Sequence, residues 1–140
     1  YVWYDLRNDG TDPNDVEHNF GITLADLAPK LGLVTANTVM SLIGGKQALG
    51  IMEMTDNGLH AFRFADDDEQ VIVLWTEANA REDYILTTGA ASVYIANWLG
   101  AETTVTPDAD GNIRILVSEY PQFIRLTGPQ VKASLAKADA

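Results

Sequence analysis

The chain has 140 residues, a mass of 15.2 kDa and a formal net charge of −11 at pH 7, and 46% of its residues are hydrophobic. This length leaves room for one hydrophobic core and excludes a complete (β/α)8 barrel, which needs about 250 residues. The excess of acidic residues argues against binding to nucleic acids or anionic membranes, and the absence of cysteine excludes disulfides and thiolate chemistry.

The N-terminal segment, residues 1–21, predicts a short strand followed by a long polar loop. Val2, Trp3 and Tyr4 supply the strand, and the loop ends at Phe20-Gly21. A strand that carries aromatic and acidic side chains into a long loop is a common way to present a sugar or metal site. A chain that begins in mid-strand also suggests that further sequence precedes it. The compartment therefore stays open, with a secreted or periplasmic location favoured.

The pattern then predicts one helix over residues 30–43, which begins after Pro29 and ends at Gly44-Gly45. From Lys46 onward the apolar period changes to two, which is typical of strands. About eight short strands with frequent turn signals indicate an antiparallel β-sandwich. The predicted strands are 48–55, 59–64, 71–76, 83–88, 92–98, 102–106, 113–118 and 122–126.

Four details of the strand region give specific expectations. Residues 71–76 are apolar on both faces, which predicts a central strand covered on two sides. Asp56-Asn57-Gly58 predicts a hairpin turn. Pro121 lies just before the last strand and places that strand at a sheet edge. The alanine-rich residues 129–140 predict frayed helix or disorder.

The tryptophans are candidates for stacking on sugar rings. Trp3, with Tyr4 beside it at the end of the opening strand, is a natural platform, although aromatic side chains in strands more often pack in cores. Trp75 and Trp98 lie in predicted strands and would form a sugar-binding face if both pointed outward. Burial in the core is the favoured alternative for both.

The opening loop is also rich in carboxylates. Paired carboxylates suit glycoside hydrolysis, but acids beside Asn, Gly and Pro are most often turn formers that bond their own backbone. Their order does not match an EF-hand loop, so calcium binding is the less favoured alternative and no metal site is predicted. The acidic residues are Asp5, Asp9, Asp12, Asp15 and Glu17.

The two histidines, His18 and His60, lie in different elements and do not supply the clustered ligands of a zinc site. His18, beside Glu17, is placed to orient the loop or to contact a substrate hydroxyl. His60 is expected at the edge of the sandwich core. Gly44-Gly45 lacks the pattern of a phosphate-binding loop, and no G-x-S-x-G nucleophile motif occurs. No cofactor is predicted.

Residues 9–21, D-G-T-D-P-N-D-V-E-H-N-F-G, resemble the D-G-x-D-P-x-D-x-E-x-x-F-G loop of retaining clan-A glycoside hydrolases of the β-xylosidase and α-L-iduronidase kind. In that family the loop follows the eighth barrel strand. Pro29-Lys30 and Gly44-Gly45 match the two ends of the last barrel helix. The sequences VLWT at 73–76 and PQFI at 121–124 are similar to strands of the accessory sandwich. The resemblance covers nearly all of residues 1–128.

The resemblance implies a mainly β chain with a terminal strand-loop-helix unit of a (β/α)8 barrel at 1–45 and an accessory sandwich at 46–128. The composition of residues 129–140, which lie beyond the resemblance, adds a flexible tail as the third part. It implies the C-terminal portion of a glycosidase that acts on an oligosaccharide or glycoside together with the missing barrel, in the same chain or a partner chain. The catalytic glutamates of the family lie at the ends of the fourth and seventh barrel strands, so no catalytic residue is carried over. Trp3 maps onto a wall of the sugar subsite, with Glu17 and His18 at its rim.

Two alternatives belong to other classes of protein. A stand-alone carbohydrate-binding sandwich would stack Trp3, Trp75 or Trp98 on a glycan. A structural domain would instead dock its opening strand into the sheet of a partner chain.

Overall fold

A computed structural model of the chain describes residues 4–54, 58–77, 80–128 and 131–138. These ranges contain a short 3-10 turn, Glu17–Asn19, one α-helix and nine strands. The helix α1 is Leu31–Ile43. The strands are β1 Gln47–Met54, β2 His60–Ala65, β3 Glu69–Trp75, β4 Glu82–Thr88, β5 Val93–Asn97, β6 Glu102–Val105, β7 Asn112–Val117, β8 Gln122–Thr127 and β9 Ala133–Lys137.

The strands form two antiparallel sheets. The larger sheet has the order β1-β2-β3-β8-β5-β6, and the smaller has the order β7-β4-β9. Alternating residues of both sheets fill the space between them, so the predicted antiparallel sandwich is confirmed. The central side chains of this core include Ile72, Leu74, Tyr84, Leu86 and Ile124, each no more than 1% exposed.

A second core lies on the opposite face of the larger sheet. Val71, Val73, Ala96 and Phe123 are buried there, and side chains of α1 pack on them. Strand β3 therefore buries one face in the sandwich and the other beneath the helix, as its two-sided apolar pattern predicts. The helix side chains in this core are Val39, Leu42 and Ile43.

The helix itself forms one residue shorter than predicted, after Lys30 as its N-terminal cap. Its last residue is followed by Gly44-Gly45, and Gly45 has a φ of 81°, the left-handed region that glycine enters without steric cost. Leu31 and Met40 remain 60% and 68% exposed, so the described residues do not cover these two apolar side chains of the helix.

The edge position predicted for the last strand is wrong. Strand β8 lies inside the larger sheet, with β3 on one side and β5 on the other. Pro121 stands immediately before the first residue of β8, so its missing N–H interrupts no ladder bond and leaves both edges of the strand free to pair.

The prediction of frayed helix or disorder for the tail is also wrong for Ala133–Lys137, which forms β9 and pairs with β4. Val131, Ala133 and Leu135 alternate along the chain, and all three pack against the sandwich core. Small side chains with a period of two are sufficient to form this strand, because the edge of β4 supplies its hydrogen-bond partners.

Two other predictions fall partly outside the described residues. Val2 and Trp3 of the opening strand lie there, and so do Asp56 and Asn57 of the hairpin turn. From Tyr4 onward the segment has no regular strand, and it makes a single bridge pairing between Arg7 and Thr23.

Candidate functional site

The two ends of the opening loop, residues 4–21, lie next to each other. Backbone amides of Ile22 and Thr23 donate to the carbonyl oxygens of Asp5 and Leu6 at 2.9 and 3.0 Å, and the amide of Asn8 donates to the carbonyl of Thr23 at 3.1 Å. The hydroxyl of Thr23 adds a bond to the Leu6 carbonyl at 2.9 Å. The two ends of the loop are thereby held side by side, which fixes the position of everything between them.

A lysine from the start of the helix closes this loop. The Lys30 ammonium donates to the Asn8 side-chain oxygen at 2.7 Å and to the Asn19 carbonyl at 2.8 Å. Asn8 is only 5% exposed, and its amide nitrogen lies 3.3 Å from the Asn19 side-chain oxygen. Lys30 therefore bonds residues near both ends of the loop and connects the start of the helix to the acidic motif.

The tip of the loop is built from the carboxylate turns that the sequence predicts. Oδ1 of Asp12 accepts from the backbone amide of Asn14 at 2.9 Å, and Oδ1 of Asp15 accepts from that of Glu17 at 3.0 Å. The Asn19 amide nitrogen then donates to the carbonyl oxygens of Asp12 and Asp15 at 2.9 and 2.7 Å. Asp12 and Asp15 therefore act as turn formers, as predicted.

The glycines of the motif stand where the chain approaches itself most closely. A Cβ on Gly10 would lie 2.4 Å from Cγ of His18, and a Cβ on Gly21 would lie 2.2 Å from the Asn8 backbone nitrogen. Both distances are too short for any side chain. The D-G and F-G pairs of the motif are thus steric requirements of this loop conformation.

The imidazole of His18 packs against Gly10, with its Nε2 3.6 Å from the Asp15 carboxylate. Its Nδ1 is buried and has no hydrogen-bond partner within the described ranges. Glu17 is exposed, and its carboxylate makes no hydrogen bond or ion pair with the described residues. The structure therefore places Glu17 and His18 together at the loop tip; Trp3 lies outside the described residues.

An open cavity of about 380 Å³ lies between this loop and the turn that precedes the helix. Amide, hydroxyl and carboxylate groups mix with small apolar surfaces on its walls, which is the usual character of a site for a polar ligand. Its lining residues are Asn8, Gly10, Thr11, Pro13, Asn19, Leu24, Ala25 and Asp26.

Large apolar side chains are exposed on the same part of the chain. Of the 13 such residues in the described ranges, eight lie between positions 4 and 43. The ring of Tyr4, 70% exposed, meets that of Phe20 edge-on at 6.0 Å. The eight are Tyr4, Leu6, Val16, Phe20, Leu24, Leu27, Leu31 and Met40. Exposed apolar side chains concentrated in one segment are typical of a segment that packs against another surface.

The two other tryptophans, Trp75 and Trp98, lie in different environments. Trp75 is half-buried and stacks on His60 and Phe62 with ring centroids 5.1 and 5.5 Å apart. It packs at the margin of the core beneath α1, so core packing is the outcome for Trp75. Trp98 stacks on Tyr120 at 5.3 Å, and Tyr120 is 49% exposed, so this second pair reaches solvent.

Within the described ranges, no group of three or more His, Asp or Glu side chains comes together in a way that could hold a metal ion. In the same ranges no helix combines the length and apolar character needed to cross a membrane.

No family model matches the chain, and no curated protein matches it. Solved structures do match, among them two glycoside hydrolases. A family 39 glycoside hydrolase from the gut symbiont Bacteroides cellulosilyticus WH2 is 27% identical with a TM-score of 0.73, over 89% of this chain and 25% of that one. A family 30 endoxylanase from Clostridium papyrosolvens C71 is 10% identical with a TM-score of 0.61, over 74% of this chain and 29% of that one.

The fold is therefore one found in glycoside hydrolases, and the chain spans about a quarter of the length of each of these two structures. At 10% identity the second similarity shows the shared fold alone. The first, at 27%, agrees with the resemblance carried by the loop motif at the level of glycoside hydrolases as a class.

Sequence reasoning did not find the central role of Lys30 in the loop network, although the Pro29-Lys30 pair was the available signal. An isolated lysine at a helix start does not reveal what it bonds 22 residues earlier in the chain.

Proposed function

We propose that the chain is the C-terminal part of a retaining glycoside hydrolase. It supplies the last strand-loop-helix unit of a (β/α)8 barrel, residues 1–45, and an accessory sandwich that begins at residue 46. The sandwich stabilises the barrel and performs no chemistry. The catalytic glutamates belong to the missing barrel, so this chain has no hydrolytic activity alone.

The observation that carries this proposal is the exposed apolar surface on residues 4–43. One strand-loop-helix unit cannot cover its own faces, since each layer of a domain needs a second layer. Here α1 covers one face of the larger sheet with Val39, Leu42 and Ile43, while Leu31 and Met40 stay exposed. A neighbouring barrel helix and the other barrel strands are the surfaces that this pattern fits.

The loop supports the second half of the proposal, a wall of the sugar site. Its acidic tip is held rigidly by Asn8, Asn19 and Lys30, and a rigid loop after a barrel strand is the usual location of substrate contacts in such folds. We assign Trp3, which directly precedes the loop in sequence, as the platform for the sugar ring, with Glu17 and His18 of the loop at the rim.

A second candidate function rests on the stacked Trp98–Tyr120 pair, which reaches solvent on the sandwich. An exposed aromatic pair is a suitable platform for a sugar face. In this case the sandwich would be a carbohydrate-binding module.

One experiment on the purified chain separates the two functions. We expect no hydrolysis of aryl β-xylosides or aryl glucosides and no saturable binding of xylo- or cello-oligosaccharides. Hydrolysis by this chain would contradict the proposal. Saturable binding that is lost in Trp98→Ala and retained in Trp75→Ala would support the carbohydrate-binding module instead.

A further inference from the structure

Another cavity lies away from the opening loop, at one side of the sandwich, and has a volume of about 550 Å³. Residues of β2, β4 and β9 and of the segments that follow β4 and precede β9 surround it. Its polar lining residues and one glycine are Arg63, Thr87, Thr88, Gly89, Lys132 and Ser134. No aspartate or glutamate of the described ranges lines it.

Arg63 has an unusual position for an arginine. It pairs across the sheet with Ile72, which is fully buried in the sandwich core, so its side chain starts on the core-facing side of β2. Its Nε is buried and has no hydrogen-bond partner within the described ranges. Arg63 as a whole is half-buried, so the rest of its guanidinium can reach a ligand, whereas its buried Nε–H has lost its hydration and gained no acceptor, which is costly.

Other cations of the chain, unlike Arg63, do have anionic partners. Lys46, Arg114, Arg125 and Lys137 each pair with a carboxylate. The hydrogen bond from Lys46 lowers the pKa of Asp66 from 3.8 to about 2. Lys30 is engaged in the opening loop.

Four cations make no ion pair or side-chain hydrogen bond with the described residues: Arg7, Arg63, Arg81 and Lys132. Two of these four, Arg63 and Lys132, line the same cavity. The chain has 20 acidic and nine basic residues, so a cavity lined by two cations and no acid is locally opposite in charge to the whole molecule.

We propose that this cavity binds a small oxyanion, such as the carboxylate or sulfate group of an acidic monosaccharide. The Arg63 guanidinium is the main anchor, since its fork of N–H donors matches the two oxygens of a carboxylate. Lys132, which also lines the cavity, adds a point charge. The Ser134 hydroxyl makes no hydrogen bond with the described residues and is available to a ligand hydroxyl. This site is independent of the proposed glycosidase function.

The test is calorimetric titration of the purified chain with sodium glucuronate, sodium sulfate and glucose. About 0.15 M salt shortens the Debye length to about 8 Å, so repulsion from the net charge is largely screened while contacts inside the cavity persist. We expect saturable binding of glucuronate and none of glucose. Competition by sulfate as strong as by glucuronate would identify the oxyanion itself as the ligand, whereas binding of glucuronate alone would identify an acidic sugar.

The variants are Arg63→Gln, Lys132→Gln and, as a matched control, Arg81→Gln, which removes the same charge from an exposed site outside the cavity. Arg63→Gln should weaken glucuronate binding by about tenfold or more, the size expected when a charge-assisted hydrogen bond is lost. Arg81→Gln should leave it within about twofold, since exposed charges contribute little. Lys132→Gln should weaken it several-fold and carries the test if Arg63→Gln fails to fold. Equal binding by Arg63→Gln, equal binding of glucose, or no saturable binding of either anion would overturn the proposal.

Discussion

Replacing Phe123 by alanine is expected to lower the free energy of unfolding by about 3–5 kcal/mol, the usual range for removing a buried phenylalanine. Phe123 is 1% exposed on the helix side of β8, in the core with Val71, Val73 and Ala96. The change leaves a cavity in the layer where α1 meets the sheet, and β3 and β5 hold β8 in place on both sides. The measurement is urea denaturation followed by circular dichroism.

The matched control is Leu116→Ala, which removes a large apolar side chain from β7 that is 52% exposed. Its expected effect is within about 0.5 kcal/mol, as for other surface positions. If Phe123→Ala were no more destabilising than Leu116→Ala, the inner position of β8 and the packing of the helix over it would both be contradicted.

The second large effect is expected from Lys30→Met. Methionine keeps most of the length of the side chain but removes the ammonium that bonds Asn8 and the Asn19 carbonyl. The buried Asn8 oxygen then loses its cationic partner, which costs about 1–3 kcal/mol. The cost falls on the opening loop and not on the sandwich, since both partners lie in the loop.

Native-state hydrogen exchange measures this local cost directly. The amides of Asn8 and Thr23, which hold the loop ends together, should exchange faster by roughly one to two powers of ten. The amides of the sandwich strands should be unchanged. Lys132→Met is the control, because Lys132 makes no ion pair or side-chain hydrogen bond with the described residues. Faster exchange throughout the chain, or no change in the loop, would contradict the assigned role of Lys30.

Much of the sandwich was predictable because its signals are local. Period-two alternation gave eight of the nine strands in the described ranges, and the two-sided apolar run at 71–76 identified the strand with a core on each face. The position of β8 was not predictable, because the order of strands in a sheet depends on long-range pairing that Pro121 does not reveal. Strand β9 was missed because its small side chains give a weak apolar signal, and only the pairing with β4 makes it a strand.

The opening loop likewise contains features that the local sequence predicts and contacts that it does not predict. The turn-forming roles of Asp12 and Asp15 follow from their neighbours in sequence and are found in the structure. The contact of Lys30 with Asn8, by contrast, joins residues 22 positions apart, and no local pattern encodes it. No local pattern distinguishes Arg63 from other strand residues. Only the register with Ile72 places its side chain on the core-facing side of β2.

The intact mass of the native gene product, compared with 15.2 kDa for this chain, shows whether the chain is part of a larger enzyme. If the chain is the C-terminal part of a glycoside hydrolase, the native product should be larger by at least the rest of a barrel, roughly 200 residues or more. A native product of 15.2 kDa would contradict the account, and the exposed apolar surface on residues 4–43 would then need a separate partner chain to cover it.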